Sequence, residues 1–302
     1  CKEVIPLIPD PNITMQTARQ AKQQVLKLQH LPPLSTTATR LLALLSEEDL
    51  ALNKLAEAID QDPGLSARIL GLANSAYFGQ QNPVLRVEDA IIRVLGLNMV
   101  KSLAFSIAVS GAFDISNCHQ FDIKQYWLQS LSTAILARHL SVRSTTAEPP
   151  DPDGVYLAGL LMKIGVLVLV HLFPEDYDKV LVQKRQLAGD ADILTLESET
   201  LGINHRQAGA WLADRWHLPE LVVSAIAQAN EPGDSEHSKE VTLVGAVSCW
   251  LSEPEQEQQP AMDCTSELTD CCGLSAETIA VVKSGFIDEE EEIKVIANML
   301  AS

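Results

Sequence analysis

Apolar residues recur along this chain at the three- and four-residue spacing of amphipathic helices. The first clear stripe falls at positions i, i+4, i+7, i+8 and i+11 and consists of Leu34, Ala38, Leu41, Leu42 and Leu45. Similar stripes continue to about residue 300, and the strict alternation typical of a half-buried strand persists nowhere in the sequence. The pattern therefore predicts an all-α protein.

Capping residues and glycines mark where these helices begin and end. Asp62 is followed by Pro63, a pair that favours a helix start, because proline lacks the N–H that would be unpaired in the first turn anyway. Gly79 suits the left-handed residue that ends such a segment. Gly96 separates two further helices, which we predict over 87–95 and 98–113.

One segment, residues 155–173, is apolar enough to resemble a membrane span. Lys163 lies at its centre, and acidic residues flank it where a span more often has basic ones. A lysine at mid-membrane costs roughly 2.5 to 3.5 kcal/mol on insertion scales. We therefore expect one buried helix from Gly154 to about Leu172, and no membrane contact.

The two ends of the chain differ from its helical middle. Residues 1–13 contain three prolines and little periodicity, which predicts an extended leader. Residues 253–302 are strongly acidic and predict two short helices, 275–284 and 287–300. We expect the second of these to dock through an apolar side formed by Ile293, Val295, Ile296, Met299 and Leu300.

Charge and cysteine content narrow the range of partners. Forty acidic residues against 22 basic ones give a formal net charge of −18, which repels nucleic acid and anionic lipid. The six cysteines show neither a CxxC pair nor zinc-finger spacing, as expected of reduced thiols. We predict a cytoplasmic protein that binds no nucleic acid and no membrane.

The common catalytic motifs are missing from the sequence: it has no GxGxxG, GxxxxGK[ST], HExxH or GxSxG. No two of its seven histidines are three or four residues apart, the spacing that pairs metal ligands on one helix face. Binding and regulation are the function classes that these observations favour.

The order of several short motifs is more informative than any single residue. They are LPPL at 31–34, DPGL at 62–65, ANSAYFG at 73–79, AIIRVLGL at 90–97, LLMKIG at 160–165 and ETLGINH at 199–205. Over roughly residues 22–250 the sequence resembles the HDOD family, helical regulatory domains related to HD phosphohydrolases.

The resemblance implies two packed helical lobes, 14–113 and an HD-like lobe 114–252, with the acidic extension 253–302 after them. It also implies a bacterial, cytoplasmic signal-transduction module that uses no cofactor and acts by binding a signalling protein or a ligand, with self-association left open. Two alternatives remain: a metal-dependent HD-type phosphohydrolase acting on a cyclic nucleotide or another phosphoester, and a structural helical adaptor.

HD enzymes hold their metal with a histidine, an adjacent His-Asp pair and a later aspartate. Aligned on the family pattern, the first histidine falls near Gln129, the pair falls on Met162 and Lys163, and the last aspartate falls near Ser248. Methionine is a poor ligand for such metals, and the Lys163 ammonium either repels a divalent cation or substitutes for its charge. We therefore expect no metal site and no catalytic residue.

Four polar residues within the motifs are candidates for partner or ligand contacts: Arg68, Asn74, Glu199 and His205. A structural role is the alternative for each of them. Arg68 and Asn74 lie within or at the end of a buried stripe, where they can bond exposed carbonyl groups. His205 follows Asn204 at a predicted helix start, and we expect it to pair with Glu199.

Overall fold

The computed structural model describes residues 32–47, 49–80, 82–187, 192–228, 237–252 and 265–301. Every regular element within these ranges is helical, which confirms the all-α prediction. The predicted leader, residues 1–13, lies outside the described residues.

The amino-terminal helices are short. They are α1 (Thr36–Leu45), α2 (Leu52–Asp60), α3 (Pro63–Ala73), α4 (Val87–Ala90), which continues into the π-helical turn Ile91–Leu95, and α5 (Leu97–Ser110). The capping predictions are confirmed: Asp62 accepts a hydrogen bond from the Leu65 backbone N–H at 3.0 Å, and Gly79 and Gly96 have φ of +57° and +80°. These positive φ values suit glycine because it has no Cβ.

The rest of the described chain forms a larger helical assembly. Its helices are α6 (Ile123–Ser141), α7 (Pro152–Leu161), α8 (Ile164–Leu172), α9 (Pro174–Gln186), α10 (Ile193–Leu201), α11 (His205–Arg215), α12 (Glu220–Gln228), α13 (Ser238–Ser252), α14 (Thr265–Cys272) and α15 (Ala276–Leu300). The long helix α6 lies at its centre and contacts α7, α13 and α15, while α5 packs against α7 and joins the amino-terminal helices to this assembly.

The apolar segment predicted as one helix is two helices, α7 and α8, with a break at Met162 and Lys163. The two halves pack against different partners, α7 against α6 and α8 against α11. Helix α8 approaches α11 so closely that a Cβ on Gly165 would lie 1.8 Å from the His205 carbonyl oxygen. Of the membrane-length window within Pro152–Leu172, 78% is buried inside the protein, as in the core helix of a folded domain.

The acidic carboxyl-terminal part also differs from its prediction, because one helix, α15, replaces the two short ones. Ile279, Val282 and Phe286 continue the buried stripe across the expected break, so packing keeps the segment helical. The prediction that this segment docks is confirmed, since α15 contacts α6 and α3. Val295 was wrongly assigned to the docked side, because it is 46% exposed.

Candidate functional site

Three of the four HD-type positions lie together where α6, the α7–α8 break and α13 meet. The Lys163 Nζ donates hydrogen bonds to the Gln129 Oε1 at 3.0 Å and to the Ser252 Oγ at 3.2 Å. The Ser252 Oγ donates in turn to the Ser248 carbonyl oxygen at 2.7 Å. The ammonium thus stands at the aspartate position of the expected His-Asp pair, contacts the first position directly and reaches the last through the Ser252 hydroxyl. We call Gln129, Lys163, Ser248 and Ser252 the lysine site.

The fourth position, Met162, is not part of this polar group. Its side chain is buried with the hydrophobic core, and its backbone N–H donates to the Ala158 carbonyl oxygen at 2.8 Å as α7 ends. Consecutive residues at a helix end point in different directions. Met162 therefore enters the core while Lys163 turns toward α6 and α13.

The lysine site is electropositive despite the negative charge of the whole protein. Burial, together with the nearby charges of Lys184 and Arg206, lowers the pKa of Lys163 to about 8. Cys249 acts in the opposite direction. Among the ion pairs of the described residues, none includes Lys163.

The donor atoms of the lysine site do not suit a divalent metal. An amide oxygen, a hydroxyl, a backbone carbonyl oxygen and an ammonium include neither the imidazoles nor the carboxylates that such a cation needs. In the part of the chain that the structure describes, no group of three or more His, Cys, Asp or Glu side chains is placed to hold a metal ion. The residues present therefore do not fit the metal of the HD enzymes.

A second polar group surrounds His205, and it corrects one prediction. The His205 Nδ1 lies 2.7 Å from an oxygen of Glu197, not Glu199, and the His205 backbone N–H donates to the same carboxylate at 2.8 Å. Two residues correspond to about 200° around a helix. Glu197 therefore faces inward and is fully buried, whereas Glu199 is exposed.

The buried Glu197 carboxylate also accepts a hydrogen bond from the Tyr177 hydroxyl at 2.9 Å. Burial and the adjacent carboxylate raise the pKa of Tyr177 well above its usual value. One carboxylate thus links α9, α10 and α11. Sequence reasoning missed Glu197, although it lies next to Leu196 and four residues before Leu201 on the apolar side of α10.

The remaining candidates lie elsewhere, so the four predicted contact residues do not form one site. The Asn74 side chain donates to the Leu70 and Val84 carbonyl oxygens at 2.9 and 2.8 Å and accepts from the Val84 N–H at 2.7 Å. These are the backbone bonds that the structural alternative expects of Asn74. Arg68 is half-buried on α3.

Comparisons with known proteins agree with this architecture. The HDOD domain family model matches residues 31–232. An uncharacterized protein of Treponema pallidum (strain Nichols) is 28% identical over 216 residues, which cover 71% of this chain. The matched region covers only 40% of that longer relative.

Three solved structures are similar in fold. A Marinobacter aquaeolei VT8 protein named for signal transduction has a TM-score of 0.81 at 26% identity, covering 97% of this chain and 68% of that one. A Shewanella amazonensis SB2B protein named as a phosphohydrolase has a TM-score of 0.70 at 26% identity, covering 92% and 97%. An HDOD domain protein of unknown function from Geobacter sulfurreducens has a TM-score of 0.75 at 20% identity, covering 94% and 98%.

The match to the family model extends over more than half of the chain and includes Gln129 and Lys163 of the lysine site, whereas Ser248 and Ser252 lie beyond it. The helical architecture and the signal-transduction relative agree with this assignment. The chain is a signalling-related, HD-like helical domain and belongs to the HDOD domain family.

Proposed function

We propose that this protein is a non-catalytic, cytoplasmic regulatory module of bacterial signal transduction that acts by binding a signalling protein. One observation supports the proposal: Gln129 and Ser252 hold the Lys163 ammonium, and Gln129 and Lys163 are positions that the family pattern aligns with metal ligands of HD enzymes. A fixed cation inside the protein supplies positive charge there without metal exchange.

The lysine site has a structural role in this proposal. Lys163 connects α6 to α13 at the break between α7 and α8, so it joins the elements that metal ligands would otherwise join. The ammonium donates to neutral oxygens only, so no carboxylate opposes the burial and the neighbouring cations that lower its pKa. No lone pair is free to coordinate a metal while the amine is protonated.

A metal-dependent phosphohydrolase is the second candidate, and the Shewanella relative's name favours it. The residues of the lysine site argue against a phosphohydrolase, because Lys163 stands in place of a metal-binding aspartate and carries a positive charge, as the metal ion does. A structural adaptor is the third candidate. An adaptor differs from a regulatory module in that its binding leaves the activity of its partner unchanged.

The charge of the protein supports a protein partner over a nucleic acid. A net charge of −18 repels phosphate backbones and favours a partner with a basic surface. A pull-down from the native cell with the full chain as bait is expected to retain a signalling protein whose activity changes on binding. An unchanged activity would favour the adaptor.

The test of non-catalysis is metal content together with hydrolysis. We expect the purified full chain to contain no stoichiometric manganese, iron or magnesium, and to cleave neither cyclic nucleotides nor a generic phosphodiester. Stoichiometric metal together with phosphodiesterase activity that a chelator abolishes would refute the proposal and establish the phosphohydrolase.

A ligand-restored variant provides the positive control for the metal measurement. It combines Gln129→His, Met162→His, Lys163→Asp and Ser248→Asp, which return an imidazole and carboxylate set to the four positions. If the folded variant gains metal while the wild type does not, the assay can detect binding at this place. The difference then arises from the residues and not from the fold.

A further inference from the structure

A cavity of about 140 Å³ lies between the amino-terminal helices, α6, α7 and α15, and we call it the lobe cavity. Its wall is mostly apolar and includes Leu103 of α5, Leu131 and Ile135 of α6 and Ile296 of α15. An engineered apolar cavity of about 150 Å³ remains dry and binds benzene. The lobe cavity therefore has room for one small ring.

Polar groups are concentrated on one side of this wall. Tyr156 is only 3% exposed, and its hydroxyl makes no hydrogen bond with any residue that the structure describes. Tyr156 lines the cavity, and its hydroxyl is not among the enclosed side-chain atoms that lack a partner, so a molecule in the cavity can reach it. His139 also lines the cavity, and burial lowers its pKa below the usual value.

The rim of the cavity connects the amino-terminal helices to α15. The Tyr77 hydroxyl, part of the wall, donates to the Glu289 carboxylate on α15 at 3.0 Å. Arg138 of α6 lines the same side, so charges of both signs lie nearby. A charged ligand would lose its hydration against the apolar wall, and the opposite charges of the rim favour neither sign.

We propose that the lobe cavity binds one uncharged, mostly apolar molecule the size of a single aromatic ring, with one hydroxyl or carbonyl that bonds the Tyr156 hydroxyl. The proposal is independent of whether the lysine site is catalytic. Because the wall combines residues from both lobes and α15, an occupied cavity strengthens their packing against one another. The site would thus give the regulatory module a small-molecule input.

The test uses the full chain with phenol and benzene as probes, measured by calorimetry and by shifts of methyl resonances. We expect the wild type to bind both and to bind phenol more tightly. Tyr156→Phe should weaken phenol binding about tenfold, the effect of one neutral hydrogen bond, and leave benzene binding unchanged. Tyr126→Phe is the matched control, because Tyr126 is buried on α6 outside the cavity wall.

A second variant tests the volume of the site. Ile135→Phe fills the cavity from its wall and is expected to abolish binding of both probes while the protein unfolds as cooperatively as the wild type. The proposal is overturned if neither probe binds the wild type up to its solubility, or if Ile135→Phe still binds them at the wild-type sites. Equal loss of both probes in Tyr156→Phe, or only ordered water in the cavity of crystals soaked in phenol, would also overturn it.

Discussion

Replacing Lys163 with methionine removes the ammonium from the lysine site and keeps a side chain of similar length. At one fixed pH the change in the free energy of unfolding combines two opposing effects. The variant loses two hydrogen bonds, but it no longer buries a charge. The dependence of the difference on pH isolates the second effect. Contributions that do not change with pH cancel when wild type and variant are compared.

The magnitude follows from the pKa of Lys163, which falls from its usual value of 10.5 to about 8 in the folded protein. Between these values the unfolded chain retains the proton and the folded protein has lost it, so the stability of the wild type rises with pH. At 1.36 kcal/mol per pKa unit, folding with the charged amine costs about 3 kcal/mol at pH 7 and about 1 kcal/mol at pH 10. Relative to Lys163→Met, the wild type should gain about 2 kcal/mol over this interval.

Urea unfolding of both proteins at pH 7, 8, 9 and 10 measures this gain as a shift in the difference between their midpoints. Lys54→Met is the matched control. The Lys54 side chain is 57% exposed, so this variant removes a surface lysine and leaves the lysine site unchanged. A stability difference between wild type and Lys163→Met that stays constant from pH 7 to pH 10 would refute the reasoning. A wild type that instead loses stability relative to Lys163→Met as pH rises would show that the pKa of Lys163 is raised in the folded protein, as a neighbouring anion would raise it.

Three further substitutions test contacts elsewhere in the fold. Glu197→Ala removes the buried acceptor of His205 and should lower the free energy of unfolding, measured by urea titration, by about 3 to 5 kcal/mol. Glu199→Ala changes an exposed residue of the same helix and should alter this free energy by no more than about 0.5 kcal/mol. Equal effects would contradict the pairing of His205 with Glu197. Gly165→Ala should destabilise by about 3 kcal/mol or more in the same titrations, because its Cβ would overlap the α11 backbone, and a neutral result would contradict the close approach. Gly285→Ala should add about 0.5 to 1 kcal/mol of stability and so raise the melting temperature, because alanine loses less conformational entropy than glycine when a helix forms. No neighbouring atom lies within 4 Å of the new Cβ. A lower melting temperature would argue against a helical conformation at this position.

The lysine site was accessible from the sequence only through the family pattern. Gln129, Lys163 and Ser248 are far apart in the chain, and no spacing rule joins them. The alignment placed Lys163 at a former metal position and allowed its charge either to repel a cation or to replace it. The structure adds the partners of the ammonium, including Ser252, which no motif indicated.

The pairing of His205 with Glu197 shows why local sequence does not predict which polar residue of a helix is buried. Glu197 and Glu199 lie in the same helix, and both are near the start of α11 in sequence. Choosing between them requires the face of α10 that meets the core. That face depends on α9 and α11, which contribute Tyr177 and His205 to the carboxylate.

The sequence by itself determined the helical class of the protein, the start of α3 at Pro63, the left-handed residue at Gly79 and the break between helices at Gly96. These features depend on interactions within a few residues, through hydrophobic periodicity, capping and backbone sterics. The tertiary structure alone decided that α7 and α8 separate at Lys163, that α15 is one helix and that the lobe cavity forms. Each of these depends on which distant helix covers an apolar face, and a local pattern carries no information about that partner.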